Sequence, residues 1–371
     1  MVISKESADR LHRLQAQMVT SGVDLVAIGP TANMRYLLGF MPLALKRLCV
    51  LLVNSKATRL IAATLNAVEL EAHTGMEAIP WSDSDGPYPT VVTVVKELKA
   101  LGMPQGSVLA VDDTMHADVL LLLQEVVSPR KSVAAGPLLD TLRICKMETE
   151  IEALARSAAQ ADRALKVGAD ACHPGVTERE VANKIATYFL QDGAEAVDFT
   201  IVASGPNGAF PHHHPGDRCL QIGDTVVIDI GATLNGYKSD VSRVVYLGEP
   251  PAEVCAIYQA VLEANQCAHQ AAIAGVHART VDHAARNSLE QAGYASYFLH
   301  RTGHGLGLET HEPPWITSES DTILEPGMVF SIEPGVYLPE KLGIRIEDIV
   351  VVTEDKCRCL TGLDHELIIN T

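Results

Sequence analysis

The sequence predicts an α+β protein in which a small α/β domain precedes a larger domain of paired strands and helices. Three observations carry this. The chain has 371 residues, more than one hydrophobic core usually organises, so two domains are expected. Its first part alternates short β-prone runs with segments of helical spacing. Its later strands come in pairs joined by short polar loops, the pattern of antiparallel hairpins.

The elements follow in order. Residues 7–21 place Leu11, Leu14 and Met18 on one stripe, an amphipathic helix closed by Gly22. Residues 23–28, 48–53, 59–63 and 108–111 read as strands, and 91–101 and 115–126 as helices. Residues 134–137 interrupt that pattern, and from Glu148 a long helix begins with Ile151, Leu154, Ala158, Ala161 and Leu165 on one face. The domain boundary therefore falls between residues 130 and 146, giving an amino-terminal domain over 1–135 and a second domain over 146–371. In the second domain, Thr177 with Glu180 three residues on forms a capping box that opens another helix. Helices are expected near 252–274 and 280–292, and strands over 222–230, 237–247, 328–332 and 344–352, paired as two hairpins. No low-complexity tract or short-period repeat stands out.

Composition excludes several classes. Hydrophobic residues make up 47% and charged residues 20%, the balance of a globular chain. A formal charge of -17 repels nucleic acid phosphates and anionic membranes, so neither is expected as a partner. The first 17 residues interleave charges with Leu11 and Leu14 and lack the apolar core of a signal peptide. No stretch approaches the roughly 18 to 20 apolar residues that span a bilayer. A cytoplasmic chain is expected. The eight cysteines contain no C-x-x-C pair, in keeping with reduced thiols, and Cys357 and Cys359 are expected at a strand edge.

The chemistry gathers in the second domain. Asp229 follows the apolar run Val226-Val227-Ile228, and Asp240 lies beyond Asn235-Gly236, the dipeptide suited to a two-residue hairpin turn. In that register Asp240 opposes Gly231, and Asp229 shares the face of Gly231. Both carboxylates then project together, roughly 7 to 8 Å apart at Cα, close enough to share cations. A turn acid and a surface charge would leave the same letters, and this pair alone does not decide between them. Glu333 ends the strand 328–332, and Glu347 sits inside an apolar run. Acids in such runs are paired or coordinated; coordination and an ion pair with a neighbouring Arg both satisfy Glu347. His304 lies in Gly303-His304-Gly305-Leu306-Gly307, where the glycines let other backbone approach closely. Four carboxylates and one imidazole suit Mn²⁺, Co²⁺ or Zn²⁺, and the absence of thiolates argues against a structural zinc cage. His212, His213 and His214 follow a turn-rich loop ahead of the Asp229 strand and are expected to form an active-site wall.

The motifs Asp229-Ile230-Gly231, Ser239-Asp240-Val241-Ser242-Arg243, Gly303-His304-Gly305, Ile332-Glu333-Pro334-Gly335 and Gly343-Ile344-Arg345-Ile346-Glu347-Asp348 resemble, in that order, the pita-bread metallopeptidases. That family includes methionine aminopeptidase, aminopeptidase P and prolidase. Residues 33–40, Asn-Met-Arg-Tyr-Leu-Leu-Gly-Phe, are similar to the amino-terminal domain of prolidases and creatinases, which methionine aminopeptidases lack. Creatinase shares the fold without a metal centre, whereas all five ligand positions are filled here. The resemblance implies a creatinase/prolidase-like first domain and a pita-bread catalytic domain of the proline-specific branch. It implies two divalent ions, most readily Mn²⁺, with Co²⁺ or Zn²⁺ as alternatives. Asp229 would chelate one, Asp240 and Glu347 would bridge both, and His304 and Glu333 would complete the shells. A dimetal-bridging hydroxide would attack the Xaa-Pro bond of short proline-containing peptides, with Glu333 relaying a proton. His212 and His311 would stabilise the tetrahedral intermediate, His300 would lie near the departing proline, and Arg345 would orient a bridging carboxylate or water. Several prolidases carry an Arg four residues after the position of His311, for the free carboxylate of a dipeptide; here that residue is Trp315, so longer substrates are open, or a charge such as Arg301 or Arg345 replaces it. The alternative within the fold is an amidase or lyase acting on a small metabolite; outside enzymes, a binding module. A homodimer is implied, with residues 81–90 (Trp81, Asp83, Asp85, Tyr88) as a candidate loop reaching the other subunit's site and a solvated turn as the competing reading.

Overall fold

The computed structural model describes residues 3–43 and 46–371. Met1 and Val2, which open the expected amino-terminal domain, lie outside the described residues. The chain divides into two compact units, Met1–Arg143 and Ile144–Thr371. Among the described residues, no helix is long and apolar enough to cross a membrane.

In the first unit, α1 (Lys5–Ser21) starts at Ser4, whose hydroxyl accepts from the Ser7 N–H, and ends at Gly22 in the left-handed conformation. There follow β1 (Leu25–Ile28), α2 (Ala32–Leu38), β2 (Val50–Val53), β3 (Thr58–Ala63), α3 (Thr64–Thr74), β4 (Ala78–Trp81), α4 (Tyr88–Ala100), β5 (Val108–Val111), α5 (Ala117–Val127), β6 (Lys131–Ala134) and α6 (Gly136–Arg143). The strands form one sheet in the order β4-β3-β2-β1-β5-β6. The β1–β2 and β2–β3 pairs are antiparallel and the rest parallel. The stretch 134–137, read as an interruption, is the junction of β6 and α6. Residues 33–40 hold α6: Arg143 donates to the Asn33 side-chain oxygen at 2.7 Å, and the Tyr36 hydroxyl donates to the Leu142 carbonyl at 2.7 Å. The 81–90 loop is shorter than expected. Trp81 ends β4, is buried and donates to the Leu48 carbonyl, while Tyr88 begins α4. Only residues 82–87 turn between them, with Asp83 paired to Arg47.

The second unit opens with α7 (Glu148–Ala171) and α8 (Glu178–Gln191), the latter started by the Thr177–Glu180 capping box. Then come β7 (Ala196–Ser204), β8 (Thr225–Leu234), β9 (Tyr237–Lys238) and β10 (Val241–Leu247). A second helical hairpin, α9 (Ala252–Ala271) and α10 (Ala278–Gln291), leads to β11 (Gly303–Gly305), β12 (Glu312–Ile316), β13 (Val329–Ile332), β14 (Gly335–Leu338), β15 (Leu342–Arg345), β16 (Asp348–Val352), β17 (Cys357–Cys359) and β18 (Ile368–Asn370). The two hairpins repeat one plan. At matching places, Thr177 bridges to Cys219 and His277 bridges to Ile323.

The first sheet runs β18-β10-β8-β7 with β9 paired to β8, the second β12-β11-β13-β16-β17, and β14-β15 stands apart. Cys357 and Cys359 lie on the edge strand β17, as expected. Helices α7 and α8 cover one face of β8 and β10, where Leu165, Ile185 and Phe189 share a core with Ile228, Ile230, Val241 and Val245. Helices α9 and α10 belong to another core with Val227, Val244, Phe330 and Val350. The expected second hairpin differs: β13 does pair antiparallel with β16, but the separate hairpin β14–β15 is inserted between them. The run 344–352 therefore spans two strands that change sheet partners at Ile346-Glu347.

Candidate metal centre

Parity on β8 and β10 places the first two acids. Asn235 and Gly236 both have positive φ, 50° and 82°, the conformation of a type I′ turn. The register they set puts Tyr237 opposite Leu234 and continues with Val241 opposite Ile230 and Ser242 opposite Asp229. Ile228 and Ile230 point into the α7–α8 core, so Asp229 points to the other side, and Asp240 and Ser242 share that side through alternation along β10. The expected face is the observed one.

The second sheet supplies the rest. The Glu333 N–H donates to the Thr302 carbonyl at 2.8 Å within that sheet, and the Glu347 N–H donates to the Ser242 carbonyl at 3.1 Å, joining the two sheets. His304 sits at the middle of β11 between glycines whose place is sterically required. A Cβ on Gly303 would collide with the Ser331 carbonyl, and one on Gly305 with Pro313. The His304 Nδ1 donates to the Gly305 carbonyl at 3.1 Å, which turns Nε2 toward Glu333 Oε1 (3.2 Å) and Asp240 Oδ2 (3.6 Å).

Asp240, His304 and Glu347 are buried and offer ligand atoms that all lie within 4.8 Å of one another. Burial, then the neighbouring Asp229, pushes the Asp240 carboxyl well above its ordinary range; burial, then Asp240 and Glu333, does the same to Glu347. Burial also pushes Glu333 up, but the adjacent His304 overrides it and holds that carboxyl low. So many acids in one dry wall repel each other unless cations join them. A second observation points the same way: Asp229 Oδ1 is buried and, among the described residues, has no hydrogen-bond partner. An orphaned carboxylate oxygen beside such a donor set fits divalent cations with oxygen and imidazole ligands.

The cavity in front of this wall holds about 810 Å³, and every residue expected at the site lines it: Asp229, Asp240, His304, Glu333 and Glu347, with His212, His300, His311 and Arg345. His311 lies with its ring centroid 4.2 Å from that of His304, tilted by 45°, and is pushed down to about 4 by burial and by His304, so its imidazole is neutral. His300 Nδ1 donates to the Arg301 carbonyl and Nε2 accepts from the Tyr337 hydroxyl, each at 2.8 Å; burial lowers its pKa and keeps it neutral. His212 is exposed at the cavity rim. Its neighbour His213 instead turns to Glu178 Oε2 at 2.8 Å. Arg345 donates to Asp229, to the Tyr337 hydroxyl at 2.7 Å and to the Ser242 hydroxyl at 3.0 Å. Ser242 in turn donates to Glu347 at 2.9 Å. Arg345 therefore touches Asp229 directly and Glu347 only through Ser242, so the ion pair considered for Glu347 is made by Asp229 instead.

Several residues were not singled out from the sequence. Tyr337 links Arg345 to His300, yet it is one phenol in an apolar strand. Asp282 accepts from the Thr302 N–H and hydroxyl at 3.0 and 2.8 Å and anchors the approach to His304; its i,i+4 pairing with Arg286 was a readable signal. Glu178 gathers the loop of histidines, but its place at the start of α8 marks only a helix terminus.

Comparison with known proteins covers both units. Residues 10–145 match the Creatinase/Prolidase N-terminal domain and residues 152–354 match Metallopeptidase family M24. The chain is 40% identical over 368 residues to the probable dipeptidase PepE of Mycobacterium tuberculosis, spanning 98% of this chain and 96% of the relative. It is 33% identical over 361 residues to the Xaa-Pro dipeptidase of Pyrococcus furiosus, spanning 97% and 99%. A crystal structure of prolidase from Thermococcus sibiricus superposes with a TM-score of 0.92 at 40% identity, over 99% of this chain and 100% of that one.

Proposed function

The chain belongs to metallopeptidase family M24, and from that premise we propose that it is a metal-dependent exopeptidase cleaving the Xaa-Pro bond of short peptides. The observation that carries the proposal is the convergence of four carboxylates and one imidazole, from two sheets, on one wall of a peptide-sized cavity. Relatives along the whole chain that are named Xaa-Pro dipeptidase or prolidase support the substrate class.

In this reading Asp229, Asp240, His304, Glu333 and Glu347 would hold the divalent metal, with Mn²⁺ as the proposed ion. Two such ions supply a water of lowered pKa and a polarised scissile carbonyl at neutral pH. The chain's own groups do the rest. Arg345 fixes one Asp229 oxygen and leaves the other free, and Ser242 fixes Glu347. Glu333 stands beside both His304 and His300 and carries a proton toward the departing proline nitrogen. His311 and His212 offer ring N–H donors to the charge that develops on the carbonyl oxygen. Proline's imide nitrogen has no hydrogen to donate, so a site shaped to its compact ring and missing donor would select it.

The test loads metal-free protein with Mn²⁺, Co²⁺ or Zn²⁺ and follows products from Xaa-Pro dipeptides and Xaa-Pro-Yaa tripeptides. Turnover should track bound metal at two ions per chain, in particles of two chains. Asp240→Asn should lower it at least ~1,000-fold, the scale of several kcal/mol of lost transition-state stabilisation. A fully loaded protein that cleaves neither peptide sinks the proposal.

A further inference from the structure

Among the described residues, two guanidinium groups line the cavity, and they are not equivalent. Arg345 is fully engaged by Asp229, Tyr337 and Ser242. Arg301 is half-buried, and among the described residues no carboxylate pairs with it. Its contact is aromatic: the guanidinium carbon lies over the Trp315 ring, 4.5 Å from the centroid.

Trp315 is placed for this by the sheet. It stands directly across the β11–β12 pair from His304, and directly opposed residues of an antiparallel pair project to the same face. The indole therefore lies on the same side as the metal-facing imidazole. A guanidinium resting on an indole is held by cation–π attraction, while its in-plane N–H donors stay open at the edge, in the fork that matches a carboxylate. The other charged side chains on the wall are acids, among them Asp198, Asp229, Asp240, Glu333 and Glu347. Away from the metal ligands, Arg301 is thus the one unengaged cationic side chain that the described wall offers to an anionic group of a ligand.

The geometry points to Arg301, seated on Trp315, as the receptor for the free α-carboxylate of the substrate's last residue, which makes this chain a dipeptidase. This inference rests on the proposed Xaa-Pro activity and adds the length of the substrate. A tripeptide presents a neutral amide where the dipeptide presents its carboxylate, and the guanidinium then goes unmatched. Trp315 acts through Arg301 and is a positioning residue.

The experiment compares an Xaa-Pro dipeptide, its carboxamide and an Xaa-Pro-Yaa tripeptide on wild type, Arg301→Met, Arg301→Lys, Trp315→Ala and Trp315→Phe. Wild type should prefer the dipeptide. Arg301→Met should lower kcat/KM for the dipeptide about 10- to 100-fold, the range of a lost charge-assisted hydrogen-bond pair, through KM, and leave the carboxamide nearly unchanged. Arg301→Lys should fall between, Trp315→Ala should follow Arg301→Met, and Trp315→Phe should keep most of the preference. Binding of proline against prolinamide to the metal-loaded protein, read by tryptophan fluorescence, supplies a second readout that needs no turnover. Arg301-dependent proline binding with no cleavage of any Xaa-Pro peptide would refute the proposed activity and leave the receptor standing. Equal losses on dipeptide and carboxamide, proline binding that survives Arg301→Met, or a wild type indifferent to substrate length would overturn the receptor.

Discussion

Replacing Glu178 by glutamine tests what holds the histidine loop at the cavity rim. Glu178 is fully buried at the start of α8 and accepts five hydrogen bonds. Its Oε1 receives the Ser204 N–H (2.8 Å), the Ser204 hydroxyl (2.7 Å) and the Asn207 amide (2.9 Å). Its Oε2 receives the Gly216 N–H (3.2 Å) and His213 Nε2 (2.8 Å). Burial pushes the carboxyl up, but these bonds hold it below its ordinary range. A glutamine can present its carbonyl to Ser204 and Asn207, and its amide then faces Gly216 and His213. The histidine can change tautomer and accept, whereas the Gly216 N–H is left facing another donor. One unsatisfied buried donor costs about 1–3 kcal/mol, and converting charged bonds to neutral ones adds about 1 kcal/mol more. The sum, about 2–4 kcal/mol, corresponds to a fall in Tm of about 5–10 °C for a unit of this size. Calorimetry reads the stability, and kcat/KM reads the loop, since Ser204, Asn207 and Gly216 bracket His212. Bound metal should stay constant, because no proposed ligand lies in that loop. A variant with unchanged Tm and unchanged kcat/KM would refute the claim that this carboxylate organises the rim.

Two further outcomes follow from distances already given. Arg345→Lys keeps the charge but cannot reach Asp229, Tyr337 and Ser242 at once, so kcat should fall about 10- to 100-fold; unchanged kinetics would show that the fork is dispensable. Gly303→Ala drives a methyl into the Ser331 carbonyl and should destabilise the chain by about 3 kcal/mol or more. Gly29→Ala, whose Cβ meets only Thr31 at 3.8 Å, is the matched control, and equal Tm values for the two variants would sink the steric argument.

Much of the centre was legible in advance because its cues are local. Asn235-Gly236 sets a two-residue turn, the turn sets a register, and the register puts Asp229 and Asp240 on one face. The glycines around His304 signalled a close approach, and the Ser331 and Pro313 carbonyls are what approaches. Family and fold, taken from five short motifs, are borne out over both units. The inserted hairpin β14–β15 escaped because Ile344 through Val352 carries Arg345, Glu347 and Asp348 among its apolar residues but no Gly or Pro turn residue, and hydrophobicity does not mark where a strand changes partners. In the first unit, β6 was missed because its residues are half-exposed and include Lys131 and Ser132, so no buried face shows in the letters. The four helices of the doubled hairpin were read from the letters, but their repetition was not, because the halves share a plan and not a set of residues. Ser242 matters through Glu347, 105 residues away, and Tyr337 and Glu178 through partners on other loops and strands, and no spacing rule reaches them.

That doubled plan has a consequence for how the molecule is made. Ser242 meets Glu347 across 105 residues, and Arg345 meets Asp229 across 116. Contacts at such separation must overcome a large loop-closure entropy and form late. A nascent chain that has folded only its first helical hairpin and sheet holds two acids and no chelating cluster. Competence to capture a divalent ion would therefore arise only once the second hairpin and sheet have docked, and the ion would then reinforce a junction that Arg345–Asp229 and Ser242–Glu347 already make. Metal capture would thus certify completed folding.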